Sequence, residues 1–215
     1  MLNLGNVFIL GDSYSTYENF IPSGYAFYYS NNVIKDTDVN DVEQTWWKLL
    51  LNETKSKLVQ NNSWSGTTIC NTGYDGVYAV HSFINRFDEL VGNGFFENNK
   101  IDTFFIFGAT NDNWADAPIG SLKYSDYTEE ELKCVLPAVC YLFNKVKNTL
   151  PHAKIVSIIN TELKPEITNG IMKAAEQIGI EAIVLKEFEK NAGHPTVAGM
   201  KNIKNQIQDY LSKIY

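Results

Sequence analysis

Cysteine is scarce in this chain: three in 215 residues, Cys70, Cys134 and Cys140, none in a Cys-x-x-Cys pair. That excludes a disulfide-stapled scaffold and a cysteine-based metal or redox motif. If Cys134 and Cys140 share a helix, their spacing puts them on different faces, so they read as reduced, partly buried thiols. Histidine is equally rare, at positions 81, 152 and 194. None stands at metal-ligand spacing from another histidine or a carboxylate, so no metal and no other cofactor is expected. Neither Gly-x-Gly-x-x-Gly nor a P-loop follows the first apolar run, which argues against a nucleotide site. Basic residues are outnumbered, 18 against 25 acidic, for a net charge of −7, and they form no stripe. Nucleic acid is therefore not an expected partner. No apolar run approaches the about 20 residues of a membrane helix, so no membrane insertion is expected. Residues 1–5 lead into the first apolar run without the basic start and long apolar stretch of a signal peptide, and the chain as given reads as cytoplasmic. Internal repeats and low-complexity tracts are also lacking.

What remains is an ordinary globular composition, 44% hydrophobic and 20% charged. The length suits one sizeable core, and with no linker in view residues 1–215 read as a single domain. Val7–Leu10, Ile101–Phe107, Ile155–Ile159 and Ala182–Leu185 are short apolar runs rich in β-branched or aromatic residues, as expected of strands covered on both faces. Lys57–Gln60 is a weaker fifth candidate. Helical spacing marks Glu43–Thr54, Val80–Leu90, Ala138–Leu150, Pro165–Ile178 and Pro195–Ile214. Strands alternating with helices predict an α/β fold with a mainly parallel sheet between helices. Thr128 with Glu131 fits a capping box, and Pro137 predicts a break followed by a new helix with proline in its first turn. Two stretches, Tyr14–Val42 and Asp112–Tyr127, fit no simple element. Both follow strands, where a parallel sheet binds its ligands.

Against this background Gly11-Asp12-Ser13, directly after the first strand, gains meaning. Gly66 follows the second strand, Asn111 the third, and His194 the fifth, so all four should gather at one sheet edge. In this respect the chain resembles the GDSL/SGNH hydrolase family, named for its Ser, Gly, Asn and His blocks. The matching segments are Gly11-Asp12-Ser13, with Tyr14 where the name motif has leucine, then Asn62-Ser63-Trp64-Ser65-Gly66, Gly108-Ala109-Thr110-Asn111-Asp112 and His194-Pro195. The resemblance implies a three-layer α/β/α sandwich with a flavodoxin-like, mainly parallel five-stranded sheet. It also implies hydrolysis of esters or related acyl groups.

A serine hydroxyl is a weak nucleophile until an imidazole takes its proton, and His194 is the histidine placed to do so for Ser13. His81 reads as opening or riding a helix and His152 as lying in a turn. The oxyanion formed on attack needs fixed donors, for which the Ser13 and Gly66 amides and the Asn111 side chain are the candidates. Gly66 could instead serve a turn of positive φ, Asn111 could bond its own backbone, and Gly-His-Pro could simply start a helix.

Where the family commonly has an aspartate three residues before the histidine, this chain has Asn191. Asparagine can orient an imidazole but cannot neutralise an imidazolium. The expected site is thus a Ser-His dyad oriented by Asn191 or a backbone carbonyl, or a triad completed by a carboxylate from elsewhere. Glu187 and Glu189 read as solvated, and Asp12 as a brace of the serine turn.

Aromatic residues crowd the presumed loops: Tyr14, Tyr17, Tyr25 and Phe27–Tyr29, then Trp46, Trp47, Trp64 and Trp114. Tyr14, Trp64 and Trp114 are the expected substrate contacts. Flat rings with polar edges suit sugar faces, although such clusters also pack cores, and Trp46 and Trp47 read as helix anchors. The expected activity is that of a serine esterase acting through an acyl-enzyme on a small-molecule or carbohydrate ester, as in a carbohydrate deacetylase. The alternatives are a lipase-like or thioesterase acylhydrolase and a catalytically weak carbohydrate-binding protein that keeps the fold. Nothing in the sequence specifies an oligomeric state.

Overall fold

A computed structural model describes residues 2–32 and 37–215; residues 33–36 of the long stretch after the first strand lie outside that range. In chain order the elements are β1 (Asn6–Gly11), α1 (Trp46–Thr54), β2 (Lys57–Ser63), α2 (Phe83–Gly92), α3 (Phe95–Asn98), β3 (Thr103–Gly108), α4 (Thr110–Trp114), α5 (Val135–Thr149), β4 (Lys154–Ile159), α6 (Pro165–Ile178), β5 (Glu181–Val184), β6 (Lys190–Asn191), β7 (His194–Pro195) and α7 (Val197–Ile214). Five strands form one sheet in the order β2-β1-β3-β4-β5, and every neighbouring pair is parallel. The short β6 and β7 make a separate antiparallel hairpin.

Alternation along the strands makes the layers. Phe8, Leu10, Phe104 and Ile106 face one way, onto Phe83 and Phe87 of α2, Val139 and Phe143 of α5 and Ile171 of α6. Their neighbours Val7, Ile9, Phe105 and Phe107 face the other way, onto Trp47 and Leu50 of α1 and Met200, Ile203 and Ile207 of α7. Side chains alternate across a strand, so one apolar run supplies both cores. Each such burial contributes roughly 1.5–3 kcal/mol. The result is the α/β/α sandwich with a five-stranded parallel sheet that the sequence predicts.

Some boundaries differ from the sequence reading, for local reasons. β2 runs on to Ser63 because its polar end is buried with partners: Asn61 Nδ2 donates to the Ser15 carbonyl at 2.6 Å and Ser63 Oγ to Asn61 Oδ1 at 2.5 Å. α1, α2 and α7 start later than their spacing suggests, each at a hydroxyl cap: Thr45, Ser82 and Thr196. The Thr128–Glu131 capping box forms, and Pro137 sits in the first turn of α5. α3 and α4 have no counterpart among the helical spacings; at four and five residues they are too short for periodicity to mark. Cys70 and Cys140 are buried free thiols whose protonated form burial favours. Among the described residues no helix is long and apolar enough to cross a membrane.

Candidate active site

Because the five sheet strands are parallel, their carboxyl ends share one edge, and the candidate residues follow those ends. Ser13 leaves β1 in a 3₁₀ turn, Ser13–Ser15, and is 4% exposed. Asp12 caps that turn by accepting the Tyr14 amide at 3.0 Å. Burial pushes its carboxyl up to about 7, against the lowering effect of that amide. Two further bonds fix the turn from outside: Trp46 Nε1 donates to Ser15 Oγ at 3.1 Å, and Thr16 Oγ1 donates to the Ser13 carbonyl at 3.1 Å. Asp12 thus braces the turn, as its place in the sequence predicts.

His194 opens β7. The connection between Asn191 and His194 is the two-residue turn Ala192-Gly193, with φ of 45° and 81°. A tight antiparallel hairpin favours positive φ at both central residues, which glycine adopts freely and alanine at a cost of about 1–3 kcal/mol. The turn is held down by Tyr14, whose hydroxyl donates to the Gly193 carbonyl at 2.5 Å. In this geometry His194 Nε2 lies 2.8 Å from Ser13 Oγ, and Nδ1 lies 3.3 Å from the Ala192 carbonyl. A carbonyl only accepts, so it selects the tautomer with hydrogen on Nδ1 and leaves the Nε2 lone pair for the serine proton. Burial holds the imidazole below its ordinary value, with the Ala192 carbonyl opposing, which keeps the ring neutral and able to accept.

Asn191 is exposed and pairs with His194 across the hairpin, but no hydrogen bond joins the two side chains. The Glu189 carboxylate accepts from Thr196 Oγ1 at 2.8 Å and so serves the hairpin base and the start of α7.

Asn111 sits on α4, just beyond β3, and is buried. Its Oδ1 accepts the Tyr74 hydroxyl at 2.7 Å and its Nδ2 donates to the Thr67 carbonyl at 3.1 Å. The amide is thereby fixed in orientation with one N–H left over, and it bonds neighbouring loops rather than its own backbone. Gly66 lies in the exposed turn after β2 with a φ of 76°, which glycine adopts without strain. The neighbouring loop is tied to α4 by the Asp112 carboxylate, which accepts the Ile69 and Cys70 amides at 2.8 and 3.1 Å.

Arg86 of α2 binds these parts together beneath the surface. Nε donates to the His81 carbonyl at 3.0 Å, one terminal nitrogen to Asn62 O and Oδ1 at 2.6 Å each, and the other to Gly11 O at 3.0 Å and Thr67 Oγ1 at 3.1 Å. Its donors are thereby all engaged, and they link the serine strand to the Asn62–Thr67 segment. Neither Arg86 nor Tyr74 is visible as a site residue in the sequence.

The aromatic residues divide. Tyr14 is fully buried, packed edge-on to Phe107 and Phe188, so the expectation that it contacts substrate is corrected: it fills the space under the hairpin. Trp64 is also withdrawn, stacked on Tyr25 at 3.7 Å with the Arg86 guanidinium against it. Its indole supports the loop, and only its partner ring is half-exposed. Trp114 is open, 43% exposed, with its ring 5.8 Å from that of His194. Trp46, Trp47 and Tyr29 are buried in the core below. Among the described residues no group of three histidine, cysteine or carboxylate side chains could hold a metal ion.

The family model for GDSL-like lipase/acylhydrolase matches residues 5–211. A Bacteroides ovatus protein assigned as a GDSL-like lipase is 38% identical, with a TM-score of 0.91 over 98% of this chain and 99% of its own. A second, from Bacteroides uniformis, is 38% identical, with a TM-score of 0.89 over 97% of this chain and 96% of its own. An acetyl xylan esterase from the rumen bacterium Butyrivibrio proteoclasticus shares the fold at 16% identity, with a TM-score of 0.60 over 100% of this chain and 64% of its own. No curated protein matches the chain. The matched span reaches from β1 to the last turns of α7 and so takes in the serine turn and the histidine hairpin alike. The chain belongs to the GDSL-like lipase/acylhydrolase family.

Proposed function

We propose that the chain is a serine esterase that removes small acyl groups, acetyl foremost, from a carbohydrate or similar polar alcohol. The observation behind this reading is the 2.8 Å approach of Ser13 Oγ to His194 Nε2. Ser13 attacks the ester carbonyl while Nε2 takes its proton. The resulting oxyanion meets the Ser13 and Gly66 amides and the remaining Asn111 N–H. The imidazolium then protonates the departing alcohol, leaving an acyl group on Ser13. Water, deprotonated by the same nitrogen, releases the acid and restores the enzyme. The Ala192 carbonyl orients the ring, and Asn191 stays outside the reaction.

The polar alcohol is favoured by the rim. Two exposed aromatic rings are each tied to a site residue: Trp114 against His194 and Tyr74 bonded to Asn111, both at 43% exposure. Open rings of this kind offer stacking faces to a sugar rather than an enclosed channel to a long acyl chain.

A fluorophosphonate probe tests the reaction. It should add one adduct, on Ser13, that disappears in Ser13→Ala; an unlabelled native chain would remove the esterase reading in favour of a binding role. Short-chain aryl esters and acetylated oligosaccharides should then be turned over in preference to long-chain esters. The opposite order would place the chain with lipase-like or thioesterase acylhydrolases.

Tyr74→Phe removes the hydroxyl that fixes Asn111. One such hydrogen bond is worth about 1 kcal/mol, so kcat should fall roughly fivefold with little change in KM. Steady-state kinetics decides: an unchanged kcat would mean that Asn111 is oriented without Tyr74.

A further inference from the structure

The reaction just described makes an imidazolium at His194, yet no carboxylate hydrogen-bonds that ring among the described residues. Its polar contacts are Ser13 and the Ala192 carbonyl, and the second of these is long, at 3.3 Å. What does lie against the ring is Tyr28. The two rings are stacked almost parallel, 9° apart with centroids 3.6 Å from each other. Tyr14 is tilted against the imidazole at 5.4 Å and Trp114 stands across it at 5.8 Å, so the histidine is surrounded by aromatic groups.

We propose that Tyr28 acts as the charge-stabilising partner of His194, its ring face taking the part that a triad carboxylate would otherwise play. This inference rests on the acyl-transfer reading. An aromatic ring carries negative potential over its faces and attracts a cation held within about 6 Å. The neutral imidazole gains only packing from the stack; the imidazolium gains packing and electrostatic attraction. The interaction is therefore stronger when the proton has moved than before, which is the condition for lowering a barrier rather than only tightening a resting contact. It also leaves the resting histidine neutral, where an adjacent carboxylate would draw it toward the charged state.

The position of Tyr28 is fixed by the same turn that fixes the nucleophile. Its backbone amide donates to Thr16 Oγ1 at 2.6 Å, and Thr16 Oγ1 donates to the Ser13 carbonyl at 3.1 Å. Stack and serine are thus referenced to one hydroxyl. Tyr28 is a positioning and charge-stabilising residue rather than a catalytic one: it acts through the imidazole.

The test reads the His194 titration by NMR, with its signals distinguished through His81→Gln and His152→Gln, together with kcat and KM on a short-chain aryl ester. Tyr28→Phe keeps an electron-rich face and should leave the titration unchanged. Tyr28→Leu, and pentafluorophenylalanine in place of Tyr28, should lower the His194 pKa by about half a unit to one and kcat about three- to tenfold, with KM little altered. The fluorinated ring nearly preserves shape, so it answers the question even where the leucine variant folds badly. A His194 pKa that is the same in all variants overturns the inference, including where rates fall, because a purely steric stack would do that. Loss of Ser13-dependent turnover in the parent chain with the titration shifted as stated would sink the esterase reading while leaving the stack's effect on His194 in place.

Discussion

Replacing His194 with alanine should cut the kcat of ester hydrolysis by about 10⁴–10⁶-fold, the loss expected when a serine nucleophile has its base removed. The size follows from the contact inventory. Ser13 Oγ has His194 Nε2 as its hydrogen-bonding partner, and His81 and His152 stand elsewhere, one beside Trp64 and one in the turn before β4. Proton affinity also sets the pH dependence. Only the neutral imidazole accepts a proton, and burial lowers the His194 pKa from its ordinary value. The kcat/KM of the native chain should therefore rise with pH along a limb lying below about 6.5 and be level near neutrality. In His194→Ala that limb should vanish along with most of the rate. A variant that keeps a tenth of the native turnover would show that Ser13 is activated by another group.

The second large effect concerns stability. Arg86→Met should destabilise the fold by about 3–5 kcal/mol, the cost of deleting one partner from a buried charged network. Methionine fills similar space, so the loss is one of hydrogen bonds rather than volume. It takes one donor from the carbonyls of Gly11, Asn62 and His81 and from Asn62 Oδ1 and Thr67 Oγ1, with the Gly11 carbonyl keeping the Trp64 amide. Retaining the charge does not suffice: lysine offers a single ammonium where these acceptors need a planar fork. For a chain of this size the melting temperature should drop by roughly 10 °C. Thermal unfolding monitored by circular dichroism checks it, and a melting temperature within 2–3 °C of the parent, taking the same about 2–4 °C per kcal/mol, would contradict the role assigned to Arg86.

Why His194 could be read from the sequence and Arg86 could not has a physical answer. β1 and β3 are uninterrupted apolar runs, and both sheet faces are covered, so their strands are written in side-chain chemistry alone. Ser13, Asn111 and His194 follow strand ends in fixed order, and parallel topology then brings them to one edge. Arg86 stands in an amphipathic helix, where one arginine normally marks the solvated side; its burial depends on acceptors from four residues on two strands and two loops. The sequence places Tyr14 in the cleft because an aromatic residue after the serine turn looks the same whether it points up or down. Phe107 and Phe188, distant in sequence, draw it inward. For His194 Nδ1 the sequence leaves Asn191, a backbone carbonyl and a distant carboxylate open; the carbonyl is that of Ala192, which no residue type marks. Asn191, the position that draws the eye, makes no bond to the ring.

The Tyr14–Gly193 hydrogen bond has a mechanical consequence. Tyr14 is the residue after Ser13 and Gly193 is the residue before His194, so this one contact closes a small ring that contains both members of the Ser13–His194 hydrogen bond. The separation of oxygen and nitrogen is then set within that ring, not by the chain that separates residues 181 apart in number. When the sheet flexes or α7 shifts, serine and histidine are carried in common mode, and their difference coordinate stays quiet. A tolerance of a few tenths of an ångström, which proton transfer demands, is thus kept without requiring the whole sandwich to be stiff.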